Sequence, residues 1–305
     1  MDLQKYNFFP TIHFSLFTFH FFFVLLQRNT TSLKNINTMK FKALHFFFLS
    51  LAIALAGCTP SSVPRDLGPA SLEDLEGLTV AVVAGSTSDV LFSDTDNFTG
   101  ITLVRCSTPS ELLAVVDDGG ADCGVADTVM LMVRREGYDS LRAFFNLPGG
   151  FDVAAAFRNS DTGLCQLFND FLVQIKSDGT LDEMFTRWCS NVLDTVHIPQ
   201  MPELEGLQGH PIEVATLADN EPFSFYRGNR WTGFEVELLM RFSIFAGRPV
   251  HFSGYTFNEI IPLLLDGRAD MAAANMFITP DRSDEVLFSH PYYFCKTSCF
   301  GKMRN

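Results

Sequence analysis

Two series of short apolar strands and helices follow one another along residues 72–305, and this alternation limits the fold more than any other feature. The first series opens with LTVAVVA at 78–84, a continuous apolar run of the kind that lies buried in a parallel sheet. Thr108, followed by Pro109 and Glu111, is typical of a helix start. Strands that alternate with helices predict an α/β fold with mainly parallel sheets and flanking helices.

The rest of the chain continues the same pattern. In the first series, strands are expected at 121–126 and 151–157, and helices at 161–176 and 180–189. Residues 191–209 lack strong periodicity and contain prolines and glycines, so they are expected to be a linker. The elements expected after it are strands at 212–217, 250–253 and 269–273, helices at 234–246, 258–266 and from 280, and a strand-like stretch at 292–301.

Composition excludes two classes of protein. The formal net charge of −13 argues against a nucleic-acid binder, which needs a basic surface. A hydrophobic content of 47% excludes a disordered chain. We therefore expect a folded protein whose partners do not include nucleic acid.

The N-terminal part reads as a targeting segment. Residues 39–57 have a basic start followed by an apolar run, which predicts a secretory signal peptide. Its end, Leu-Ala-Gly followed by Cys58, resembles the bacterial lipobox, which implies a lipid on Cys58 and anchoring of the mature chain to a membrane. The alternative is a plain signal peptide or an uncleaved anchor.

The stretch before this signal is a separate question. Residues 1–38 contain a second apolar run, which indicates a mis-called start or leader with translation beginning at Met39; the alternative is a true signal anchor. Residues 58–71 are rich in Pro and Ser and predict a flexible tether.

Six cysteines follow Cys58 in the chain. Export would allow them to form disulfides, but Cys106 and Cys123 fall in expected strands, where buried thiols are equally plausible. Cys165 and Cys189 could pair, and the sequence does not decide it. The cysteines lack the CxxC spacing of a metal site, so neither a metal nor another cofactor is expected.

The second series carries five motifs in a specific order. They resemble the first part of family-3 bacterial solute-binding proteins, the periplasmic amino-acid receptors of ABC transporters. The motifs are EPFSF at 221–225, GFEVEL at 233–238, IPLLLDGRAD at 261–270, ITPDR at 278–282 and FSHPYY at 288–293.

The first series resembles the remaining part of the same family. LEGLTVAVVAGSTS at 75–88 is similar to the start of its second lobe, and GADCGVAD at 120–127 to a strand of that lobe. KSDGTLDEMFTRW at 176–188 is similar to its terminal helices. The resemblance implies a two-lobed, periplasmic-binding-protein-like (type II) fold with the ligand cleft between the lobes.

The order of these parts is inverted relative to the family. The division this implies is a second-lobe-like unit at 72–158, a terminal helix pair at 159–190, a linker at 191–209 and a first-lobe-like unit at 210–305. One explanation is a circular permutation of a single module, which exposed sites with nearby termini tolerate. The other is a fragment cut from two tandem modules.

The resemblance also implies a set of ligand-binding residues. Arg282 matches the arginine that grips the ligand carboxylate, Asp127 matches the aspartate that takes the α-ammonium, and Phe257 matches an aromatic residue of the side-chain pocket. The competing explanations are a surface ion pair for Arg282, a helix N-cap for Asp127 and core packing for Phe257.

Four further positions complete the expected site. Ser86 and Thr87 follow a buried strand and could bind the same carboxylate, or simply cap a helix. Phe277 stands where the family has a small polar residue, and Asn275 where it has Gly or Ser. These departures, and Asn220 in place of an aromatic residue, leave the side-chain specificity open.

The resemblance implies a receptor that captures an amino acid or similar small polar solute for an ABC-transporter permease. The receptor is expected to be a monomer, held by a lipid anchor at the cell envelope, on its periplasmic or extracytoplasmic face. The alternatives are an orphan receptor that reports to a partner protein and a nonfunctional fragment. Some relatives on this scaffold are enzymes, but the sequence shows no Ser/His/Asp or paired-carboxylate motif, so no enzymatic activity is expected.

Overall fold

The computed structural model of the chain describes residues 68–133, 138–190 and 198–303, which all fall in one compact unit, Pro64–Asn305. The expected leader, signal peptide, Cys58 and most of the tether lie outside the described residues. In the part of the chain that is described, no helix is long and apolar enough to cross a membrane.

Fifteen strands are found among the described residues, and we number them in chain order. They are β1 (Thr79–Val83), β2 (Thr102–Cys106), β3 (Cys123–Asp127), β4 (Leu141–Asn146), β5 (Phe151–Val153), β6 (Ala156–Phe157), β7 (Ile212–Thr216), β8 (Asp219–Asn220), β9 (Ser224–Arg227), β10 (Arg230–Thr232), β11 (Val250–Gly254), β12 (Met271–Ala272), β13 (Leu287–Phe288), β14 (Tyr293–Cys295) and β15 (Thr297–Lys302).

The described α-helices are numbered in the same way. They are α1 (Thr87–Ser93), α2 (Pro109–Asp117), α3 (Thr128–Val133), α4 (Thr162–Ser177), α5 (Thr180–Phe185), α6 (Phe234–Ala246), α7 (Ile260–Leu265) and α8 (Pro280–Glu285). Short 3₁₀ segments at Glu73–Leu75 and Phe257–Glu259 and a π-helical turn at Thr186–Ser190 complete the regular structure.

Two five-stranded sheets define two lobes. In the first, which we call lobe A, the strand order is β2-β1-β3-β15-β4, with β1 parallel to β2 and β3. In the second, lobe B, the order is β11-β7-β12-β6-β13, with β7 parallel to β11 and β12. In each sheet, three parallel strands lie beside two further strands. The inner one of these two, β15 in lobe A and β6 in lobe B, is antiparallel to both of its neighbours.

In each lobe, an aspartate side chain accepts a hydrogen bond from the backbone of the central strand. Asp122 accepts a hydrogen bond from the backbone N–H of Thr79 at 2.9 Å in lobe A, and Asp270 accepts one from Glu213 at 3.0 Å in lobe B. Each aspartate comes just before the third parallel strand and ties it to the central strand. The two lobes are thus built on one plan.

The chain crosses between the lobes twice. One crossing leads from β4 of lobe A through β5 to β6 of lobe B, and the other from β13 of lobe B through β14 to β15 of lobe A. The middle strands β5 and β14 pair with each other antiparallel. This pair forms the hinge between the lobes.

The crossings correct the contiguous division drawn from the sequence. The expected second-lobe-like unit 72–158 contains β6, which pairs with β12 and β13 of lobe B. The expected first-lobe-like unit 210–305 contains β15, which pairs with β3 and β4 of lobe A. Each sheet is completed by a strand from the other half of the chain, because backbone groups at a buried sheet edge need hydrogen-bond partners.

Apolar clusters cover both faces of each sheet, and the largest lies in lobe B. There the helices α4 and α5 pack against α6, with Phe168 and Phe242 in edge-to-face contact at 4.9 Å. The carboxylate of Glu237 on α6 accepts a hydrogen bond from Nε1 of Trp188 and pairs with Arg187. The helix pair after the first crossing is therefore anchored on lobe B.

Candidate functional site

A cavity of about 90 Å³ lies between the lobes, and we call it the central cavity. Its wall includes all seven residues that the sequence singled out for ligand contact: Ser86, Thr87, Asp127, Phe257, Asn275, Phe277 and Arg282. The first three belong to lobe A and the other four to the polypeptide of lobe B. Residues far apart in the chain thus meet at the carboxyl ends of parallel strands, where α/β sheets place ligands.

Asp127 is the last residue of β3, and its side chain is buried. Its Oδ1 accepts a hydrogen bond from the backbone N–H of Val129 at 2.6 Å, and its Oδ2 accepts one from Nδ2 of Asn275 at 2.9 Å. The hydroxyl of Tyr293 and the thiol of Cys295 donate to the same carboxylate. Burial raises the pKa of Asp127, and these donors oppose the rise.

The bond from Val129 is the N-cap contact that the alternative explanation of Asp127 expected. That contact occupies one lone pair and leaves the carboxylate on the wall of the central cavity. The helix-capping arrangement and a place at the cavity are therefore compatible.

Arg282 lies on α8 of lobe B and reaches toward lobe A. Its Nη1 donates to the carbonyl of Phe277 at 3.0 Å and its Nη2 donates to the carbonyl of Gly85, in lobe A, at 3.1 Å. The guanidinium carbon lies 5.0 Å from the ring centre of Phe257. Burial lowers the pKa of Arg282 to about 10.

Within the described residues, no carboxylate lies within ion-pair distance of Arg282. The surface pairing with Asp281 or Asp284 that the sequence allowed is not formed. A half-buried guanidinium with neutral acceptors only is an unbalanced charge, and its remaining N–H groups can receive an anion.

Asn275 has a left-handed backbone with φ of 51°. Its backbone N–H donates to both carboxylate oxygens of Glu235, at 2.8 and 3.0 Å, while its side chain reaches Asp127 in the other lobe. The Oδ1 atom of Asn275 is buried and has no hydrogen-bond partner among the described residues. An unsatisfied buried acceptor costs free energy, so this atom is ready to accept a bond from a cationic group in the cavity.

Glu235 was missed by the sequence reasoning, although it lies inside the GFEVEL motif. It is 1% exposed and also accepts a hydrogen bond from the hydroxyl of Tyr292 at 2.5 Å. Burial raises its pKa to about 7, and the nearby charge of Asp127 adds to the rise. The signal that could have found it is the pair of acidic residues, Glu235 and Glu237, in the first turn of a mostly apolar helix.

The other expected site residues lie at the start of helix α1 or in contact with an aromatic ring or Arg282. Oγ of Ser86 accepts the backbone N–H of Asp89 at 3.2 Å, so Ser86 serves as the N-cap of α1, and Thr87 begins that helix. The ring of Phe277 stacks on Phe151 at 4.9 Å with an interplanar angle of 13°. Phe257 is half-buried beneath Arg282.

Two larger cavities share walls with the central cavity. The first, of about 310 Å³, lies among the loops after β1, β2, β7 and β11, and we call it the loop cavity. The second, of about 700 Å³, lies between α1 of lobe A and α7 and α8 of lobe B, and we call it the helix cavity. At the loop cavity, Oγ of Ser110 donates to Asp219 at 2.6 Å and forms another direct bond between the lobes.

The described cysteines and potential metal ligands form neither disulfides nor a metal site. The six cysteines at 106, 123, 165, 189, 295 and 299 are buried, unpaired thiols, so the possible bridge between Cys165 and Cys189 is not formed. Over the ranges that the structure covers, His, Cys, Asp and Glu side chains form no cluster suited to a metal ion.

Comparisons with known proteins give a consistent picture for the second half of the chain. Residues 212–305 match the family model described as bacterial extracellular solute-binding proteins, family 3. A probable histidine-binding protein of Campylobacter jejuni is 31% identical over 94 residues, which cover 31% of this chain and 36% of that protein. A membrane-bound lytic murein transglycosylase F of Nitrosospira multiformis is 28% identical over 133 residues, which cover 43% of this chain and 26% of the relative.

Among solved structures, an ancestral arginine-binding protein bound to glutamine is 34% identical, with a TM-score of 0.27 and coverage of 28% of this chain and 39% of that one. The chain spans about a third of the length of the curated amino-acid-binding relatives that it matches. The predicted α/β fold with a cleft between two lobes is confirmed, and the matched relatives include both binding proteins and a transglycosylase. The inverted order of the parts is not tested by these matches and stays a prediction.

Proposed function

We propose that this chain captures an α-amino acid or a similar small zwitterion in the central cavity, and the match of residues 212–305 to the model of bacterial extracellular solute-binding proteins, family 3, supports the proposal. The observation that carries the proposal is the pair of unbalanced groups on the cavity wall. Arg282 brings a half-buried cation from lobe B, and Asp127 brings a buried carboxylate from lobe A.

A zwitterionic ligand would balance both groups at once. Its carboxylate would accept the free N–H groups of Arg282, whose planar fork suits a bidentate contact. Its ammonium would donate to Asp127 and to the unsatisfied Oδ1 of Asn275. Charges in a buried cavity are costly unless they are paired and hydrogen-bonded, so a ligand with this charge pair is favoured over one that lacks either end.

Lobe closure would follow from contacts on both sides of the ligand. Direct bonds also join the lobes, from Arg282 to the carbonyl of Gly85, from Asn275 to Asp127 and from Ser110 to Asp219. The ligand would add its own bridge between Arg282 and Asp127 to these contacts, in a movement about the β5–β14 hinge. Closure would therefore depend on both direct and ligand-mediated contacts.

The binding experiment uses the purified full chain in detergent micelles. Isothermal titration with each of the twenty amino acids is expected to give one bound ligand per chain for at least one of them, and that ligand should raise the melting temperature. Asp127→Asn keeps the size of the side chain and should abolish the heat signal. A folded chain that binds none of the twenty amino acids would refute the proposal.

We further propose that the two halves of the chain form one circularly permuted module. One support is the shared cavity. Another is the position of Gly68 and Gly301, near the two ends of the described chain, because both glycines lie against the ring of Phe144. A rearranged gene that links residue 303 to residue 68 and opens the chain in the 191–209 linker should fold and bind the same ligand. If the chain is instead a fragment of two tandem modules, a monomer should not bind one ligand per chain.

The proposed setting is the outer face of a membrane, with the receptor held by a lipid on Cys58 and delivering its ligand to an ABC-transporter permease. The match of residues 212–305 to a family of extracellular proteins supports the extracytoplasmic setting, and the lipobox-like sequence supports the anchor. Growth with a clickable palmitate analogue should label the chain, and Cys58→Ser should remove the label. Labelling that persists in Cys58→Ser would contradict the anchor.

A further inference from the structure

Two buried carboxylates from different lobes meet at Asn275. The backbone N–H of Asn275 donates to both carboxylate oxygens of Glu235, at 2.8 and 3.0 Å, and its Nδ2 donates to Oδ2 of Asp127 at 2.9 Å. Asn275 and Asp127 line the central cavity, whereas Glu235 lies behind Asn275 and is not part of the described cavity wall. Glu235 can therefore act on a bound ligand only through these two residues.

The groups that face the two carboxylates from the neighbouring elements are uncharged donors. They are the N–H groups of Asn275, the backbone N–H of Val129, the hydroxyls of Tyr292 and Tyr293 and the thiol of Cys295. The thiol of Cys189, in the π-helical turn, also lies near both carboxylates. Burial raises the pKa of each of these tyrosines and thiols, so they are neutral at physiological pH.

Among the described residues, no cation balances this pair of carboxylates. Neither Asp127 nor Glu235 takes part in an ion pair there, and Arg282, on the same cavity wall as Asp127, lies beyond ion-pair distance from it. Glu237, the other acidic residue in the first turn of α6, pairs with two arginines. These arginines neutralise Glu237 and leave Glu235 without a counter-ion.

Two carboxylates in one buried network do not ionise independently. Without a cation, the second negative charge adds like-charge repulsion to the cost of burial. Burial raises the pKa of Asp127 and raises that of Glu235 to about 7, and the charge of Asp127 adds to the second rise. A single proton on the pair relieves this cost. A ligand ammonium beside Asp127 would supply the missing positive charge in place of the proton.

We infer that Asp127 and Glu235 share one proton while the central cavity is empty, and that an ammonium bound to Asp127 displaces this proton to the solvent. The inference rests on the proposed function and adds its regulation, because ligand binding then weakens as the pH falls. In this step the O–H bond of one carboxyl group breaks, the proton passes to water or buffer, and the ammonium becomes the counter-ion of the carboxylate. Glu235 is a positioning residue, since it holds the backbone of Asn275 and sets the charge of the pair without touching the ligand.

The test is isothermal titration of the full chain in detergent micelles at pH 6.0 and pH 8.0. The probe is the L-amino acid that binds most tightly among the twenty at pH 8.0. With a pKa of about 7 for the empty pair, it should bind about tenfold more tightly at pH 8.0 than at pH 6.0. At pH 6.0 the heat of binding should vary with the ionisation enthalpy of the buffer, with a slope of about 0.5 proton or more released per ligand bound.

A variant pair assigns the proton to these carboxylates. Glu235→Gln keeps the shape of the side chain but removes its charge, so its affinity should differ by about twofold or less between the two pH values. Any titration of the amino acid itself is common to both proteins and cancels in this comparison. Glu205→Gln removes a charge at an exposed position before β7 and should keep the tenfold ratio.

Equal wild-type affinity at the two pH values, or an undiminished ratio in folded Glu235→Gln, would overturn the inference and leave the proposed function standing. If Glu235→Gln does not fold, the wild-type buffer series decides alone, and the absence of proton release at pH 6.0 would overturn the inference. A folded chain that binds no amino acid at either pH would overturn both the inference and the proposed function.

Discussion

Replacement of Arg282 by methionine tests the charge that the proposed site uses most directly. The substitution removes the guanidinium and keeps an unbranched apolar stem. The lost contact with a ligand carboxylate is a pair of charge-assisted hydrogen bonds, each worth about 1.5–3 kcal/mol. A loss of about 3 kcal/mol or more weakens binding by about two orders of magnitude.

The same substitution should have little effect on the stability of the protein without ligand. Burial lowers the pKa of Arg282 to about 10, which corresponds to a cost of about 3 kcal/mol for keeping the group charged at neutral pH. Against this stand two hydrogen bonds to the carbonyls of Phe277 and Gly85, each worth about 1 kcal/mol, and a cation–π contact with Phe257 of about 1 kcal/mol. The two sides nearly cancel, so the free energy of unfolding should change by no more than about 1 kcal/mol.

The assay combines isothermal titration with urea denaturation on the same preparation. Arg282→Lys keeps the charge but not the planar fork, and its affinity should lie between those of the wild type and Arg282→Met. Arg268→Met removes an exposed arginine of lobe B and should leave both quantities unchanged. Affinity of Arg282→Met within threefold of the wild type would refute the reasoning, as would a loss of stability large enough to explain weaker binding by unfolding.

Three further predictions concern the surroundings of the cavity. Burial raises the pKa of Glu235 from its usual 4.5 to about 7, so its stabilising contribution is fully present below about pH 4.5 and is lost as the pH rises through 7. Urea denaturation from pH 4.5 to 8 should show Glu235→Gln flattening this dependence by about 3 kcal/mol, and an equally steep dependence in the variant would contradict the assignment. Asn275→Ala removes the unsatisfied acceptor and should weaken ligand binding about tenfold by isothermal titration, whereas unchanged affinity would exclude Asn275 from the site. Because all six cysteines of the described chain are free, dithiothreitol should leave the melting temperature unchanged, and a drop of several degrees would reveal a disulfide.

Much of the fold and of the candidate site could be predicted from local signals. The helix expected at 234–246 is found with the same bounds, because its N-terminal Gly233 and C-terminal Gly247 mark both ends. The strand expected at 250–253 differs from β11 by one residue. All seven expected site residues line one cavity, since each lies at or after the end of a strand or in the first turn of a helix.

Other features could not be obtained from local patterns. The single strand expected at 151–157 is two strands, β5 and β6, and the stretch 292–301 is likewise β14 and β15. Segments of two or three residues carry too little periodicity to show where the chain leaves one sheet for another. The small sheet of β8, β9 and β10 was not identified for the same reason, and the longer strand β4 was not identified either.

The sequence by itself determined the type of each lobe and the chemical groups available to a ligand, because apolar periodicity, helix caps and short motifs are local properties of the chain. Only the tertiary structure decided that β6 and β15 exchange between the lobes, and that Arg282 has no carboxylate partner among the described residues. It also decided that Asp127 and Arg282, which belong to different lobes, lie on the wall of one cavity. Strand pairing and charge balance depend on groups distant in the chain, and their free energies are fixed only when burial removes water as the alternative partner.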